Sequence, residues 1–243
     1  MSEPAPTARD EMDAFAVAVV LAYGQGARLG AGEPKALVAL GGRPLLAWSR
    51  SALAAARHVR GVFVVGEPSR VAPLLAALPA PLRARVLDVV TGGATRQESC
   101  AMGLARVPGD AEVVLVHDAA RPFAEAALFD AVAEAARTHG AALAAQPLAD
   151  TLKRVAGDRV VATVERAGLW QAQTPQGARR ALFVEAHAAA ARDGVTATDD
   201  VALVERLGAD VRIVPAPSFN RKITTPADLA WAEAWVKSEG ART

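Results

Sequence analysis

The order of the apolar segments constrains this chain more than any other feature. "FAVAVVLA" (15–22) is an unbroken apolar run rich in β-branched residues, the pattern of a strand covered on both faces. Helical and extended patterns then alternate. A helix is predicted over 43–57 with Pro44 in its first turn, a strand over 61–65, and a helix over 69–78 that must accommodate Pro73. A strand follows over 84–90, then a helix over 95–107 opened by Thr95 with Glu98 three residues on, a capping-box pattern. A strand over 111–118, a helix over 125–140 ended by Gly140 and a strand over 141–146 complete this half. Such alternation with short turns predicts right-handed βαβ units and a doubly wound, mostly parallel sheet.

The rhythm breaks at 147–177. Here β-branched pairs flank a Gly157-Asp158 turn and no helical face appears, so a hairpin-like β-arm projecting from the main domain is expected. Helices over 178–193 and 199–208, a strand over 210–216 and a closing helix over 225–238 restore the pattern. With 243 residues and no internal repeat, the reading is a single domain over 16–243 behind a polar, disordered tail over 1–15. The chain stops soon after the last helix, so no fused second enzyme is expected.

Composition excludes several classes. The net charge of +1 sets up no global field towards nucleic acid or a membrane. No signal peptide is apparent, and no apolar stretch is long enough to span a bilayer. A single cysteine, Cys100, precludes an internal disulfide and suits a reducing compartment, so a cytoplasmic location is expected. Of 27 lysines and arginines only four are Lys, at 35, 153, 222 and 237. A chain that favours Arg for surface charge keeps Lys where a compact ammonium is needed. The only Asn, Asn220, lies two residues before Lys222, and the only Tyr, Tyr23, sits in the loop after the first strand.

That loop, "LAYGQGARLGAGEPK" (21–35), falls where α/β sheets bind ligands, beyond the carboxyl end of a strand. Its glycines let backbone N–H groups approach an anion closely. A dinucleotide fingerprint fails because its sixth position is Leu29, and no Gly-Lys-Ser/Thr occurs for a P-loop. What remains is Gly24, Gly26, Arg28 and Gly30 followed by Pro34-Lys35. This is similar to the loop with which nucleotidyltransferases wrap a triphosphate, its cations neutralising charge as the α-phosphate is attacked. "VHDAARP" (116–122) puts Asp118 and Arg121 at another strand end, where they can serve a metal, a ribose or a phosphate, or form a structural ion pair. "TGGATRQES" (91–99) supplies Gly92, Gly93, Arg96 and Ser99, either lining a base or ribose or forming only a tight turn and cap.

The succession "LAYGQGARLG…PK", "GGATRQES", "VHDAARP", "DTLKR", "VERAGLWQAQTPQ", "TDD" and "NRKIT" resembles 2-C-methyl-D-erythritol 4-phosphate cytidylyltransferase over about 16–236. The resemblance implies a Rossmann-like mixed sheet, a β-arm that clasps a second subunit in a homodimer, and Mg²⁺ or another divalent cation. The implied reaction joins CTP to methylerythritol phosphate with release of pyrophosphate. By the resemblance, Arg28, Lys35 and Lys222 are the catalytic cations. Ala22, Tyr23, Gly24, Gly26, Gly92, Gly93, Ser99, Asp118 and Ala119 hold the nucleotide, with Asp118 the metal candidate. Arg121, Thr151, Arg166, Thr174 and Thr198 bind the alcohol substrate, Thr151 and Arg166 reaching it from the neighbouring subunit. Rival readings are a ribitol-5-phosphate cytidylyltransferase and a nucleotide-binding homologue with weakened turnover.

The chain departs from the resemblance at Tyr23, where a small residue is usual. Its ring can turn into the sheet edge, stack on the base or crowd the pocket, and crowding is the expected outcome. Cys100 reads as a core residue on an amphipathic helix, and His58, His117, His139 and His187 lack metal-ligand spacing. Trp170 is expected to anchor the arm or a dimer contact.

Overall fold

A computed structural model describes residues 14–24, 26, 29 and 33–240. The opening apolar run forms β1 (Ala16–Leu21), buried along its whole length. Its side chains alternate between two cores: Ala16, Ala18 and Val20 join one, Val17, Val19 and Leu21 the other. A two-stranded hairpin, β2 (Ala39–Leu40) and β3 (Arg43–Pro44), precedes α1 (Leu45–Ala55). Then come β4 (Val59–Gly66), α2 (Pro68–Ala77), α3 (Ala80–Arg83), β5 (Val86–Thr91), α4 (Arg96–Leu104), β6 (Val113–Asp118), α5 (Ala126–His139) and β7 (Ala141–Pro147). The arm strands are β8 (Leu152–Ala156) and β9 (Arg159–Val164). The remainder is β10 (Trp170–Arg179), α6 (Arg180–Arg192), α7 (Val201–Arg206), β11 (Val211–Pro215) and α8 (Pro226–Gly240).

Seven strands form the main sheet in the order β11-β7-β10-β6-β1-β4-β5. Only β10 runs antiparallel to its neighbours. Helices α1, α2 and α5 cover one face through Leu46, Leu53, Val71, Leu75, Phe129 and Val132. Helices α4, α6 and α7 cover the other through Cys100, Leu104, Phe183 and Leu203. A third cluster, in which Trp48, Trp231 and Trp235 pack on Leu40, Phe123 and Ile223, ties α8 to the hairpin after the glycine-rich loop. The predicted doubly wound, mostly parallel α/β fold is therefore the observed one.

Local expectations fare unevenly. Thr95 and Glu98 form the reciprocal capping box that their spacing predicts. Pro73 lies inside α2, whose buried Val71 and Leu75 keep it on the sheet. The arm does contain an antiparallel hairpin, with Gly157 at φ +61° in its turn, but the arm ends earlier than 177. Residues from Trp170 onward return to the main sheet as β10, between β6 and β7. Gln171, Gln173, Thr174 and Pro175 hide that strand from a hydrophobicity reading. Gln173 and Gln176 are buried because each finds partners: the Asn220 amide donates to Gln173 Oε1 (2.8 Å), and the Asp200 N–H donates to Gln176 Oε1 (3.0 Å). Of the tail expected over 1–15, residues 1–13 lie outside the described residues. Its last residue, Phe15, belongs to the folded domain: it is buried, with its ring beside His58 and the Arg137 guanidinium over its face. Among the described residues no helix is long and apolar enough to cross a membrane.

Candidate active site

Loops leaving the carboxyl ends of β1 and β6, the start of α4 and the segment before α8 enclose a cavity of about 310 Å³. Ala22, Tyr23, Gly24, Gly26 and Lys35 line it from the first loop, Arg96 from α4, Asp118 and Ala119 from the end of β6, and Lys222 and Thr224 from the last. The glycine-rich loop closes on itself where the Lys35 N–H donates to the Gly24 carbonyl (2.9 Å). Gly26 has φ +64°, and a Cβ there would lie 3.0 Å from the Glu33 carbonyl oxygen, so only glycine suits the turn that brings Lys35 back.

Asp118 is the electrostatic centre. Lys222 Nζ lies 2.6 Å from Oδ2 and Arg96 Nε 3.2 Å from Oδ1. Burial opposes ionisation of this carboxyl, but Arg96 and Lys222, with Arg121 behind them, hold it well below the usual carboxylate range. Arg96 is fixed from the other side by buried Asp200, with Nη1 to Oδ2 at 2.7 Å. Burial works against the Arg96 cation, and the two carboxylates more than restore it. Beneath Asp118, its own N–H donates to Thr174 Oγ1 (3.0 Å), which in turn meets His117 Nδ1 at 3.1 Å. The Thr174 hydroxyl therefore has its hydrogen free to donate to Nδ1, which fits a neutral imidazole. Burial lowers the His117 pKa to about 3.

Lys222 also borders a second cleft of about 560 Å³ with Arg121, Arg221, Gln146 and Gln173. Arg121 is held there by donating to the Asn220 carbonyl (2.9 Å), while burial lowers its pKa. The site thus offers two adjoining chambers with one lysine at their boundary. Lys35 Nζ reaches Thr224 Oγ1 (3.4 Å), which joins the first loop to the Lys222 segment.

The sequence model of the IspD family, 2-C-methyl-D-erythritol 4-phosphate cytidylyltransferase, matches residues 16–238. The chain belongs to this family. It is 44% identical over 217 residues to the cytidylyltransferase of that name from Prochlorococcus marinus (strain MIT 9313), covering 89% of this chain and 96% of the relative. It is 46% identical over 228 residues to the one from Streptomyces coelicolor (strain ATCC BAA-471 / A3(2) / M145), covering 89% and 83%. The crystal structure of the Thermus thermophilus enzyme of that name superposes with a TM-score of 0.73 at 39% identity, covering 90% of this chain and 98% of that one.

Within this IspD frame, the site expectations divide. The cavity gathers Ala22, Tyr23, Gly24, Gly26, Lys35, Asp118, Ala119 and Lys222, while Arg28 lies outside the described residues. Ser99 is buried and does not line the cavity. Its hydroxyl accepts from the Gly93 N–H (3.1 Å) and donates to the Thr95 carbonyl (2.8 Å), so it shapes the glycine turn. Gly92 lies under the Tyr23 ring, and a Cβ there would meet ring Cδ2 at 2.6 Å. Thr174 is buried beneath Asp118, where its hydroxyl accepts from the Asp118 backbone N–H, and it lines neither chamber. Thr151 and Arg166 are exposed on the arm, and neither they nor exposed Thr198 lines either chamber.

Two residues exceed the expectation. Arg96 reads from sequence only as a base or ribose candidate, yet it is the second cation on Asp118. Asp200, the last residue of "TDD", carries no role in the sequence reading, which favours Thr198 of the same segment. Two adjacent acids opening a helix are its only signal. As for a divalent ion, Asp118 is the one acid lining the cavity among the described residues, and it is ionised. A single carboxylate that works with substrate phosphates suits Mg²⁺, so the donor set fits, provided that one cation contact of Asp118 is exchanged.

Proposed function

We propose that the two chambers together transfer the cytidylyl group of CTP to 2-C-methyl-D-erythritol 4-phosphate. The products are 4-diphosphocytidyl-2-C-methyl-D-erythritol and pyrophosphate, in the supply of non-mevalonate isoprenoid precursors. The observation that carries this reading is the convergence of two of the chain's four lysines, Lys35 and Lys222, on one cavity beside an ionised aspartate. A phosphate oxygen of the alcohol substrate attacks the α-phosphorus of CTP in line. A new P–O bond forms as the bond to the bridging oxygen of pyrophosphate breaks.

Such a reaction needs charge stabilisation and alignment rather than a covalent intermediate. Lys35 neutralises the triphosphate from the glycine-rich loop. Lys222, at the boundary of the chambers, meets both the attacked phosphate and the incoming one. Arg121 and Arg221 give the second chamber the charge to hold the alcohol's phosphate. Asp118 would hold a divalent ion, Mg²⁺ in our reading, which supplies further neutralisation of the phosphates when bound. Cys100 takes no part as a nucleophile: it is fully buried, and burial, reinforced by Asp200, raises its pKa.

The arm completes the site of a second subunit, with Thr151 and Arg166 reaching the alcohol phosphate. This reading is supported by the apolar side chains that the arm exposes, Val155, Val160, Val161 and Leu169, together with half-exposed Trp170. A cytoplasmic location agrees with a lone free cysteine. The direct test is pyrophosphate release from CTP with each alcohol phosphate in turn. Release with methylerythritol phosphate and little with ribitol 5-phosphate is expected. The reverse preference, or no release with either, contradicts the proposal.

A further inference from the structure

We infer that Cys100, His187 and Asp200 form a second metal site, outside the two chambers, that takes Zn²⁺ through sulfur, nitrogen and oxygen. The three residues come from one layer of the fold: Cys100 from the middle of α4, His187 from α6 and Asp200 from the residue that precedes α7. Their ligand atoms all lie within 4.8 Å of one another. None of the three lines either chamber, so the inference stands whatever reaction those chambers perform. No short spacing in the sequence joins them. They meet because α4, α6 and α7 pack on the same face of the sheet.

His187 is the residue that points to a ligand. It is only 6% exposed, and neither Nδ1 nor Nε2 makes a directed hydrogen bond. A buried imidazole left in this way carries an uncompensated desolvation cost. Its Nε2 stands 3.5 Å from Asp200 Oδ1. That separation matches the edge of a zinc tetrahedron, since ligands at about 2.0–2.3 Å from the metal lie roughly 3.3–3.6 Å from each other. The fully buried Cys100 sulfur closes the third corner within a side-chain rotation. Asp200 is already oriented for the task. Its N–H donates to Gln176 Oε1 (3.0 Å) and its Oδ2 takes Arg96 Nη1 (2.7 Å), which leaves Oδ1 towards His187. Thiolate, imidazole and carboxylate together suit Zn²⁺, whereas Mg²⁺ and Ca²⁺ take oxygen ligands. As the metal binds, the thiol gives its proton to solvent, and thiolate and carboxylate then balance the two charges of the ion. Three protein ligands leave the fourth position to a water.

The test is cobalt substitution. Cys100 is the only cysteine, so a sulfur-to-cobalt charge-transfer band reports this residue alone. Cobalt held by Asp118 gives no such band, because no cysteine lines that cavity. Chelator-treated protein without a histidine tag receives Co²⁺ in the native state and, separately, during refolding from urea, so that a closed core does not keep the metal out. One equivalent should bind with a near-ultraviolet thiolate band and the strong visible absorption of a four-coordinate centre, and Zn²⁺ should abolish both. Zn²⁺ at a hundredfold excess over its Kd should raise the Tm by about 5–10 °C. Cys100→Val, which keeps the core apolar, should lose the band and this shift. Cys100→Ser takes its place if the valine protein does not unfold cooperatively. His187→Leu should raise the Kd for Co²⁺ by roughly 100-fold or more. No thiolate band in either arm would overturn the inference. A Zn²⁺ shift of equal size in the cysteine variant would also overturn it, by placing the metal elsewhere.

Discussion

Asp118 shows how much of the site's electrostatics is settled by neighbours within one side chain's reach. Lys222 and Arg96 each occupy one of its oxygens, and Thr174 holds its backbone N–H. His117 next to it reads from sequence as a strand-end histidine, and the structure gives it a structural role. It is buried against Phe129, with ring centroids 4.8 Å apart, and accepts from Thr174. Burial, reinforced by Arg121 and Lys222 against the pull of Asp118, lowers its pKa to about 3. Between the ordinary value near 6.5 and about 3, the unfolded chain takes up a proton that the folded chain refuses. Stability therefore falls as pH falls through that window, by up to about 1.4 kcal/mol per pH unit. His117→Leu removes this linkage. Urea unfolding at pH 7 and pH 5 should show the wild type losing about 2 kcal/mol more than the variant over that step. Equal losses would mean that His117 is protonated in the fold.

At the scale of elements, the strands were legible wherever burial on both faces left an apolar run, as in β1 and β6, and helices wherever a cap marked their start, as at Thr95. Strand β10 was not legible. Its interior is polar, and its burial depends on partners distant in sequence, Asp200 and Asn220, that no local pattern reveals. The close seating of α4 on the sheet was equally silent. Gly103 allows it, since a Cβ there would lie 2.4 Å from Val19 Cγ1. The arm gives the element-scale prediction. If its Arg166 serves the neighbouring subunit's site, Lys35→Ala and Arg166→Ala dimers are each nearly inactive. Refolded together in equal amounts, half the dimers are mixed, and each mixed dimer has one site with both defects and one with neither. Activity should return to about a quarter of wild type per total site. No recovery, with mixed dimers confirmed by tag pull-down, would place both residues in the same chain's site.

Across the whole molecule, the first loop and the segment before α8 lie at opposite ends of the chain and meet at the carboxyl edge of one sheet. The sequence supplied the chemistry of this meeting, because a chain so poor in lysine draws attention to Lys35 and Lys222. It did not supply the bracing. The Arg96–Asp200 pair and the Thr224 link between the lysines' segments are tertiary contacts without a local signature. The central claim is that the two lysines stabilise the transition state of cytidylyl transfer in this cleft. The most direct measurement is the pyrophosphate-release rate of Lys35→Ala and Lys222→Ala proteins with CTP and methylerythritol phosphate, alongside circular dichroism to show an intact fold. Each should lose roughly 10²-fold or more in turnover, and Arg at either position should fail to restore it fully, since a planar fork does not replace a compact charge. Near-wild-type turnover in either folded alanine variant would contradict the account.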